Sequence, residues 1–492
     1  MQTIVLYAGL GFALFIFGHH AAAQELDLDT FVRSILKHNP GVQKILADEA
    51  IAAGALESSK GVDDGVLSSS LSLAHTEPNQ VLGFEASESD DARLNLAYDR
   101  RFSASGTRLN LSYGNQYTDR NPPLGSLGEQ YYQPSFTMRL TQPLLKNAGG
   151  IQDSLDINLK QLNFRLAGLS SQENLESYIT QLARLYLDWY LAARETAISK
   201  EVHQQAIEQE KLTRTKVKRQ VIEPYELLRA QETREDYYSR WQQSRGRYIG
   251  LSRQIQRQMN SKQYATTDKL IPFDPESSRL FTSSQSVPRS ADYLVSASRL
   301  KNILDTLQTQ QQLLLDAKYN ARSSDLDLSL GYTRHGIDND FNDAHSSNLE
   351  QDDYSVMLEY RYALGNRRAS GDYQAQLAGK HQIEADTQQR MIDAESSLAN
   401  LQEQETQLVI ALKSIDRKIK LATKKLAKEQ RLYKIGKLDL FELLKDQTAH
   451  LESRLQREQL YTSLLTLRLN IGELLDRNLT VFTAKTDTVS GK

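Results

Sequence analysis

The sequence feature that most limits the possible folds is a seven-residue apolar repeat between positions 398 and 426. It has one polar interruption, and its members are Leu398, Leu401, Glu405, Leu408, Leu412, Ile415, Ile419, Ala422 and Leu426. This spacing predicts a long helix with a narrow apolar seam that packs against another helix in a coiled coil. The pattern runs to Tyr433 and breaks at Gly436, and a second helix begins near Leu440. The sequence therefore predicts a long helix, a tight turn and a returning helix.

The same arrangement occurs earlier in the chain, at a constant distance of 216 positions. Segment 217–231 aligns with 433–447, and five aligned pairs are identical: Lys218/Lys434, Glu226/Glu442, Leu227/Leu443, Leu228/Leu444 and Gln231/Gln447. Each turn contains a helix breaker, Pro224 in the first and Gly436 in the second. Gly149 and Gly365 share the same offset, each just after a strand-like run. About 80 residues thus align without a gap, which predicts an internal duplication.

Charge, cysteine content and hydropathy limit the class of protein. Cysteine is absent, which excludes disulfides and thiol chemistry, and the net charge of -3 gives no strong attraction to nucleic acid. Residues 1–23 are predicted to be a secretory signal peptide with an apolar core, Ile4–Gly18, and a small-residue cleavage site, Ala21–Ala23. No later stretch is apolar enough for a transmembrane helix, so a membrane-spanning form of this chain needs strands.

Alternation of apolar and polar residues predicts strands in two regions. The runs in region 66–142 are 67–73, 94–98, 109–113 and 136–140, and those in region 325–362 are 326–332 and 354–362. The first region is about 42 residues longer, which indicates one additional hairpin near 92–118. A sheet that is apolar on one face fits either a soluble sandwich or an outer-membrane barrel. The export signal favours the barrel.

The predicted organisation combines these elements in two repeats. A signal peptide, 1–23, comes before the first repeat, 24–263, which contains a helix, strands 66–142 and a helical hairpin 150–262. A linker, 264–290, leads to the second repeat, 291–475, which contains a helix, strands 325–362 and a helical hairpin 366–475. A flexible tail, 476–492, follows. The long helices approach 70 residues, roughly 100 Å at 1.5 Å per residue. Helices of this length imply a bundle or a coiled-coil assembly.

Together these features resemble the TolC-like outer membrane efflux protein family. Its most specific element here is Tyr433-x-x-Gly436 followed by Phe441-Glu-Leu-Leu. The resemblance covers most of the mature chain and implies an α+β membrane protein. In that family three chains form one tube, a shared outer-membrane β-barrel continued by a long α-helical coiled-coil tunnel through the periplasm. The family's usual contribution is four strands per chain, whereas six are predicted here.

The resemblance implies a passive outer-membrane conduit of a tripartite efflux pump or a type I secretion system. Its implied partners are two further copies of the chain, a periplasmic membrane-fusion adaptor, an inner-membrane transporter and outer-membrane lipid. The alternative is an exported coiled-coil scaffold or binding protein with a small β domain and no pore. The sequence contains neither a phosphate-binding loop nor His-Glu-x-x-His, so we predict no enzyme, cofactor, metal or nucleic-acid partner.

Family resemblance assigns a gate to the helix turns. Tyr433 matches a turn tyrosine and Glu226 an acidic residue of the first turn, and a hydrogen bond between them is the predicted latch. Glu442 matches an acidic residue at the narrowest point, and Lys445 replaces the second one. The alternative is that Glu442 and Lys445 form an ordinary exposed i,i+3 ion pair.

The turns also carry the adaptor-binding residues in this family. The matching positions are Val221, Ile222, Pro224, Gly436, Leu438 and Leu440. Four of them are apolar residues in turns expected to be exposed, which is unusual unless a partner covers them. Local packing between neighbouring turns is the alternative.

Overall fold

The computed structural model describes residues 24–77, 88–121, 130–260, 270–282, 290–346 and 350–483. Its strands are β1 (Gln24–Leu26), β2 (Val66–Thr76), β3 (Glu88–Phe102), β4 (Thr107–Asn121), β5 (Gln130–Pro143), β6 (Leu270–Pro272), β7 (Asp325–His335) and β8 (Gln351–Arg361). Its helices are α1 (Leu28–His38), α2 (Pro40–Ser59), α3 (Leu155–Lys218), α4 (Pro224–Met259), α5 (Arg279–Thr282), α6 (Ala291–Ser296), α7 (Arg299–Asn320), α8 (Phe341–His345), α9 (Arg367–Lys434), α10 (Leu440–Leu474) and α11 (Arg477–Thr483). The predicted signal peptide lies outside the described residues.

Two compact units are formed from interleaved parts of the chain. The described residues within 1–43, 175–289 and 397–492 form the first unit, and those within 44–174 and 290–396 form the second. None of the described helices is both long enough and apolar enough to span a membrane.

The main core of the first unit lies around two aromatic residues of α3, Tyr186 and Trp189, which are fully buried. The Tyr186 hydroxyl lies 2.6 Å from the carbonyl oxygen of Leu26 and 2.9 Å from that of Phe273. Trp189 Nε1 donates to Ser252 Oγ on α4 at 2.8 Å. These bonds satisfy the polar groups of the two aromatic side chains, which is the condition for burying them without loss of stability.

Part of the segment predicted as a linker is an ordered component of this core. Strand β6 pairs in parallel with β1. Asp29 on α1 accepts hydrogen bonds from Ser278 Oγ at 2.5 Å and from Arg279 Nε at 2.9 Å. Residues 270–282 are thus held against the N-terminal helix, and the linker prediction misses this anchoring.

The prediction of a flexible tail from residue 476 is wrong for its first part. Residues Arg477–Thr483 form α11, and Leu479 is buried in the core of the first unit. The buried carboxylate of Glu176 on α3 accepts from the backbone amides of Asn478 at 2.6 Å and Leu479 at 2.9 Å. A carboxylate at the start of a helix satisfies amides that have no intrahelical partner. Residues 484–492 lie outside the described residues.

The second unit contains a six-stranded antiparallel sheet with the order β2-β3-β4-β5-β7-β8. The additional hairpin predicted near 92–118 corresponds to β3 and β4, which lie inside the sheet between β2 and β5. The turn between these two strands contains Gly106, whose φ of 78° is in the left-handed region that glycine tolerates.

The strand register separates an apolar face of the sheet from a polar one. One row of directly paired residues crosses all six strands on the apolar face: Leu67, Tyr98, Leu111, Met138, Tyr332 and Tyr354. The adjacent row is on the other face and is polar apart from one alanine: Ser68, Ala97, Ser112, Thr137, Thr333 and Asp353. Side chains of a strand alternate between faces, so the sequence alternation becomes two chemically different surfaces.

Replacing Glu176 with alanine should loosen α11. The change removes the acceptor of two amides, and each buried group left without a partner costs about 1–3 kcal/mol. Hydrogen exchange at Asn478 and Leu479 should accelerate by about tenfold or more.

The matched control is Glu208→Ala on the same helix, where the glutamate forms an exposed ion pair with Lys211. The control should leave exchange at α11 unchanged. Equal protection of α11 in the wild type and in Glu176→Ala would contradict the anchoring described above.

Candidate functional site at the helix turns

The two helical hairpins reverse through turns of the same backbone form. Gln220 and Gly436, which are 216 positions apart, both have left-handed φ angles, 55° and 75°. In the first turn Val221 N donates to Lys216 O at 3.0 Å, and in the second Lys437 N donates to Leu432 O at 2.9 Å. This bond closes the last helical turn and satisfies a carbonyl at its end. Gly436 therefore corresponds to Gln220, whereas Pro224 begins α4 after the reversal.

An apolar cluster, which we call the turn cluster, packs the two hairpins together. It comprises Ala230, Leu426, Tyr433, Leu440, Leu443 and Leu444, with Leu212 and Leu438 partly buried against it. Its members come from α3, α4, α9, α10 and the second turn. Positions 440, 443 and 444 share one side of α10 through i,i+3 and i,i+4 spacing. The turn cluster fixes the positions of the polar side chains around it.

Tyr433 lies in the turn cluster and does not form the predicted hydrogen bond to Glu226. Its hydroxyl lies 2.9 Å from Thr213 Oγ1 on α3, and its side chain is 2% exposed. Lys216 Nζ lies 3.7 Å from the centre of the Tyr433 ring and donates to the Tyr433 carbonyl oxygen. The prediction fails because the register of α3 places Thr213 opposite the tyrosine. Thr213 and Lys216 are three residues apart and therefore lie on the same face of α3. Polar residues on a face that is expected to be apolar are the only sign in the sequence that these two belong to the site.

Glu226 is buried at the start of α4 beside the same cluster. Its Oε2 atom has no hydrogen-bond partner among the described atoms. Burial raises the pKa of Tyr433, and the charge of Glu226 adds to that rise. Burial also lowers the pKa of Lys216. Both groups of the predicted latch are therefore in the same buried region, although no hydrogen bond joins them.

Glu442 and Lys445 are both exposed on the first turns of α10. Neither residue is in an ion pair among the described side chains, so the i,i+3 pair is not formed. Glu442 lies in the first helical turn, where a negative charge is favoured by the helix dipole. Both side chains extend into solvent.

The predicted adaptor-binding residues differ in exposure. Val221 is 58% exposed and Ile222 is half-buried. Pro224 and Gly436 are exposed, and Leu438 is partly buried against the turn cluster. The expectation of an exposed position is wrong for Leu440, which is 1% exposed. Leu440 is the first residue of α10, and the helix register turns it inward.

Sequence reasoning missed a set of exposed apolar side chains at the same turns. The set is Tyr225, Leu228, Ile435 and Phe441. The sequence did contain a sign of this set, because Tyr225 and Phe441 are 216 positions apart and are therefore aromatic residues at equivalent positions of the two repeats. The guanidinium carbon of Arg229 lies 5.8 Å from the Tyr225 ring centre and 5.2 Å from that of Phe441. A cation between two aromatic rings links the two hairpins on the exposed side of the turn cluster.

A second polar group joins α9 to α10 next to the turns. Lys425 Nζ lies 2.5 Å from Asp446 Oδ2 and 3.5 Å from Glu429 Oε1. Burial and the adjacent Asp446 raise the pKa of Glu429. The hydrogen bond with Glu429 and the positive charge of Lys425 lower the pKa of Asp446. Lys425 thus bridges the carboxyl groups of Glu429 and Asp446.

The fold of the chain is shared with solved outer-membrane channels. The structure of CusC, described for transmembrane channel formation, matches 91% of this chain and 91% of its own length with a TM-score of 0.67 and 12% identity. The outer membrane protein VceC from Vibrio cholerae matches 92% of this chain and 96% of its own length, with a TM-score of 0.66 and 10% identity. The MtrE outer membrane channel from Neisseria gonorrhoeae matches 92% and 89%, with a TM-score of 0.65 and 10% identity. No protein-family model and no curated protein matches the sequence.

Glu429→Gln should stabilise the turns at neutral pH. Since the pKa of Glu429 is raised in the folded chain, the folded state holds this proton more tightly than the unfolded state does. Ionising Glu429 therefore costs stability as the pH rises above the ordinary carboxyl range, and glutamine avoids that cost. Amide hydrogen exchange around Tyr433 should be slower in the variant at pH 7. The two proteins should become equal below about pH 4, where the wild-type carboxyl is protonated in both states.

Glu403→Gln is the matched control, because Glu403 is exposed on the same helix and accepts only from Gln407 in its own helix. The control should behave like the wild type at both pH values. A Glu429→Gln variant that exchanges as fast as the wild type at pH 7 would show that Glu429 is not destabilising when ionised.

Proposed function

We propose that this chain, which has the fold of the outer-membrane efflux channels, is the outer-membrane channel of a tripartite efflux pump or a type I secretion system. It acts as a passive conduit from the periplasm to the exterior and is gated at the helix turns. Its partners are two further copies of itself, a periplasmic membrane-fusion adaptor and an inner-membrane transporter.

The observation that carries this proposal is the exposed apolar face of the sheet. Four of its side chains are at least three-quarters exposed: Leu67 at 77%, Leu73 at 77%, Tyr354 at 78% and Val356 at 75%. Removing apolar surface from water stabilises a protein by about 25 cal/mol per Å², so a large exposed apolar face is expected to be covered by lipid or by another protein. Lipid against the apolar face and water against the polar face satisfy both surfaces of one sheet.

The edges of the sheet support an assembly of several chains. β2 and β8 each have one neighbouring strand among the described strands. In a bilayer the free amide and carbonyl groups of such edges must be paired, which a barrel achieves. Three chains that join β8 of one to β2 of the next would form a barrel of 18 strands from six per chain.

The helix turns fit the role of a gate in such an assembly. The exposed Glu442 would occur three times around a common axis, and a ring of carboxylates attracts cations. Lys445, one turn further along α10, would place positive charges beside that ring. Tyr433 contacts Thr213 and Lys216 of the other hairpin, and movement of a hairpin would have to break these contacts. Glu226 is buried beside them.

The exposed apolar residues of the turns fit an adaptor-binding surface. Val221, Tyr225, Leu228, Ile435 and Phe441 are exposed on the two hairpins, and Ile222 and Leu438 lie beside them. Pro224 and Gly436 contribute backbone to the same surface. Aromatic and aliphatic side chains of this kind are the usual anchors of a protein interface.

The first test is insertion of the purified protein into a planar bilayer. A trimer in detergent that gives discrete conductance steps is the expected result. A monomer without conductance would leave the non-pore scaffold as the function, with the apolar sheet face covered by another protein.

Glu442→Ala should reduce the preference of the channel for cations. The variant removes three carboxylates from the narrowest point, so the reversal potential in a salt gradient should move towards that of a non-selective pore. Glu403→Ala, which removes an exposed carboxylate elsewhere on the hairpins, should leave the reversal potential unchanged. Wild-type selectivity in Glu442→Ala would exclude Glu442 from the gate.

A further inference from the structure

The half of α9 nearest its turn has an exposed apolar side. Ile410, Leu421 and Leu432 are 54%, 69% and 39% exposed. They follow one another at intervals of 11 residues, about three helical turns, so all three lie on one side of the helix. Arg417 is exposed four residues before Leu421 and shares that side. An exposed apolar side of a helix is expected to be covered by another surface.

The equivalent side of α3 packs the first helical hairpin against the second. Glu201 accepts hydrogen bonds from both terminal nitrogens of Arg454 on α10, at 3.1 and 2.8 Å. Arg194 Nε lies 3.4 Å from Glu458 Oε2, also on α10. These contacts join the two hairpins of one chain at some distance from their turns.

The offset of 216 positions gives each contact between the hairpins an equivalent pair, and this includes the contact of Lys216 with Tyr433. Adding 216 to a residue of α3 gives a residue of α9, and subtracting 216 from a residue of the second hairpin gives one of the first. With the α9 residue first, the three equivalent pairs are Arg417 and Tyr238, Ile410 and Gln242, and Leu432 and Val217. All three α9 residues belong to the exposed side, so the equivalent contacts are left for a second chain.

The first hairpin has three aromatic rings at the position that corresponds to Arg417, and we call them the aromatic group. The ring centre of His203 lies 5.2 Å from that of Tyr238 and 5.6 Å from that of Trp241. The Tyr238 and Trp241 ring centres are 6.0 Å apart, and Tyr238 is 43% exposed. A guanidinium group is attracted to the face of a tyrosine or tryptophan ring. The aromatic group is therefore a suitable partner for Arg417 of another chain.

We propose that the exposed side of α9 in one chain packs against α3 and α4 of a second copy, with Arg417 on the aromatic group. Ile410 then lies against Gln242 of α4. Leu432 lies against Val217 of α3, near the turn. This inference rests on the proposed channel function, since it describes how the helical hairpins of the three copies are joined. A contact between two different surfaces can repeat around a three-fold axis and close a ring.

The charges at these positions favour a ring in which first and second hairpins alternate. If two first hairpins met in this way, the Glu201 carboxylate would face Tyr238, and the face of an aromatic ring repels an anion. If two second hairpins met, Arg417 would face Arg454, and the like charges would repel each other. The alternating order gives an ion pair within each chain and a cation on an aromatic ring between chains. Charge therefore disfavours the wrong neighbour as well as favouring the correct one.

Chemical cross-linking of the full-length protein in detergent tests the contact. The chain has no cysteine, so two introduced thiols are the only ones present. The double variant Arg417→Cys/Tyr238→Cys is treated with a short bismaleimide, because residues that meet through long side chains are too far apart for a disulfide. Covalent dimers and trimers should appear on a denaturing gel, whereas each single variant should remain monomeric there.

A second pair, Ile410→Cys/Gln242→Cys, leaves Arg417 and the aromatic group intact and should also cross-link. It keeps the test decisive if loss of the cation prevents assembly of the first double variant.

The matched control is Arg417→Cys/Arg240→Cys. Arg240 is two residues beyond Tyr238, on roughly the opposite side of α4, and lines the groove between α4 and α10. This control should give no more covalent oligomer than the single variants do.

Two results would overturn this contact and leave the channel proposal standing. One is a wild-type trimer in detergent together with no cross-linking of either pair, and the other is equal cross-linking of the control. A wild type that is monomeric in detergent would overturn the contact together with the proposed assembly. The size of the wild-type protein in detergent thus distinguishes a failure of the contact from a failure of the channel proposal.

Discussion

A long helix with only one narrow apolar seam cannot cover that seam by itself, and this constraint governs the first unit. The seam of α9 ends at Leu426, which lies buried in the turn cluster against residues of α10. Leu398, at the other end of the same seam, is also buried. Glu405, the one polar residue of the seam, forms an ion pair with Arg468 of α10 at 2.8 Å. The interruption of the seam at Glu405 is thus satisfied by a specific partner.

Patterns that depend on local periodicity could be predicted from the sequence. The helical hairpins, the two reversals and the six strands follow from apolar spacing and from helix breakers, because these properties act within a few residues. Gly436 marks the second reversal for the same reason. The constant offset of 216 positions places Gln220, and not the helix breaker Pro224, opposite Gly436, and both Gln220 and Gly436 are left-handed.

Contacts between distant segments could not be predicted in this way. Which of Thr213 and Glu226 meets the Tyr433 hydroxyl depends on the rotation of one helix against another, and a shift of one residue turns a side chain by about 100°. The inward position of Leu440 depends on helix rotation in the same way. The order of α11 depends on the Glu176 carboxylate, about 300 positions earlier in the chain, with exact separations of 302 and 303 residues. A polar terminal segment contains no local sign of such an acceptor.

The two reversals differ in the residue that takes the left-handed conformation, and this difference has a consequence for how each turn tolerates change. Gly436 adopts a φ of 75° with no side chain to strain, whereas Gln220 adopts 55° with one. A residue with a Cβ in this region carries a conformational cost of order 1 kcal/mol. Replacing Gln220 with glycine would remove this cost and so increase the stability of the first turn. The second turn already has glycine at this position. Replacing Gly436 with a residue that has a Cβ would therefore weaken the second turn, whereas exchanging Gln220 for another such residue would leave the first turn unchanged.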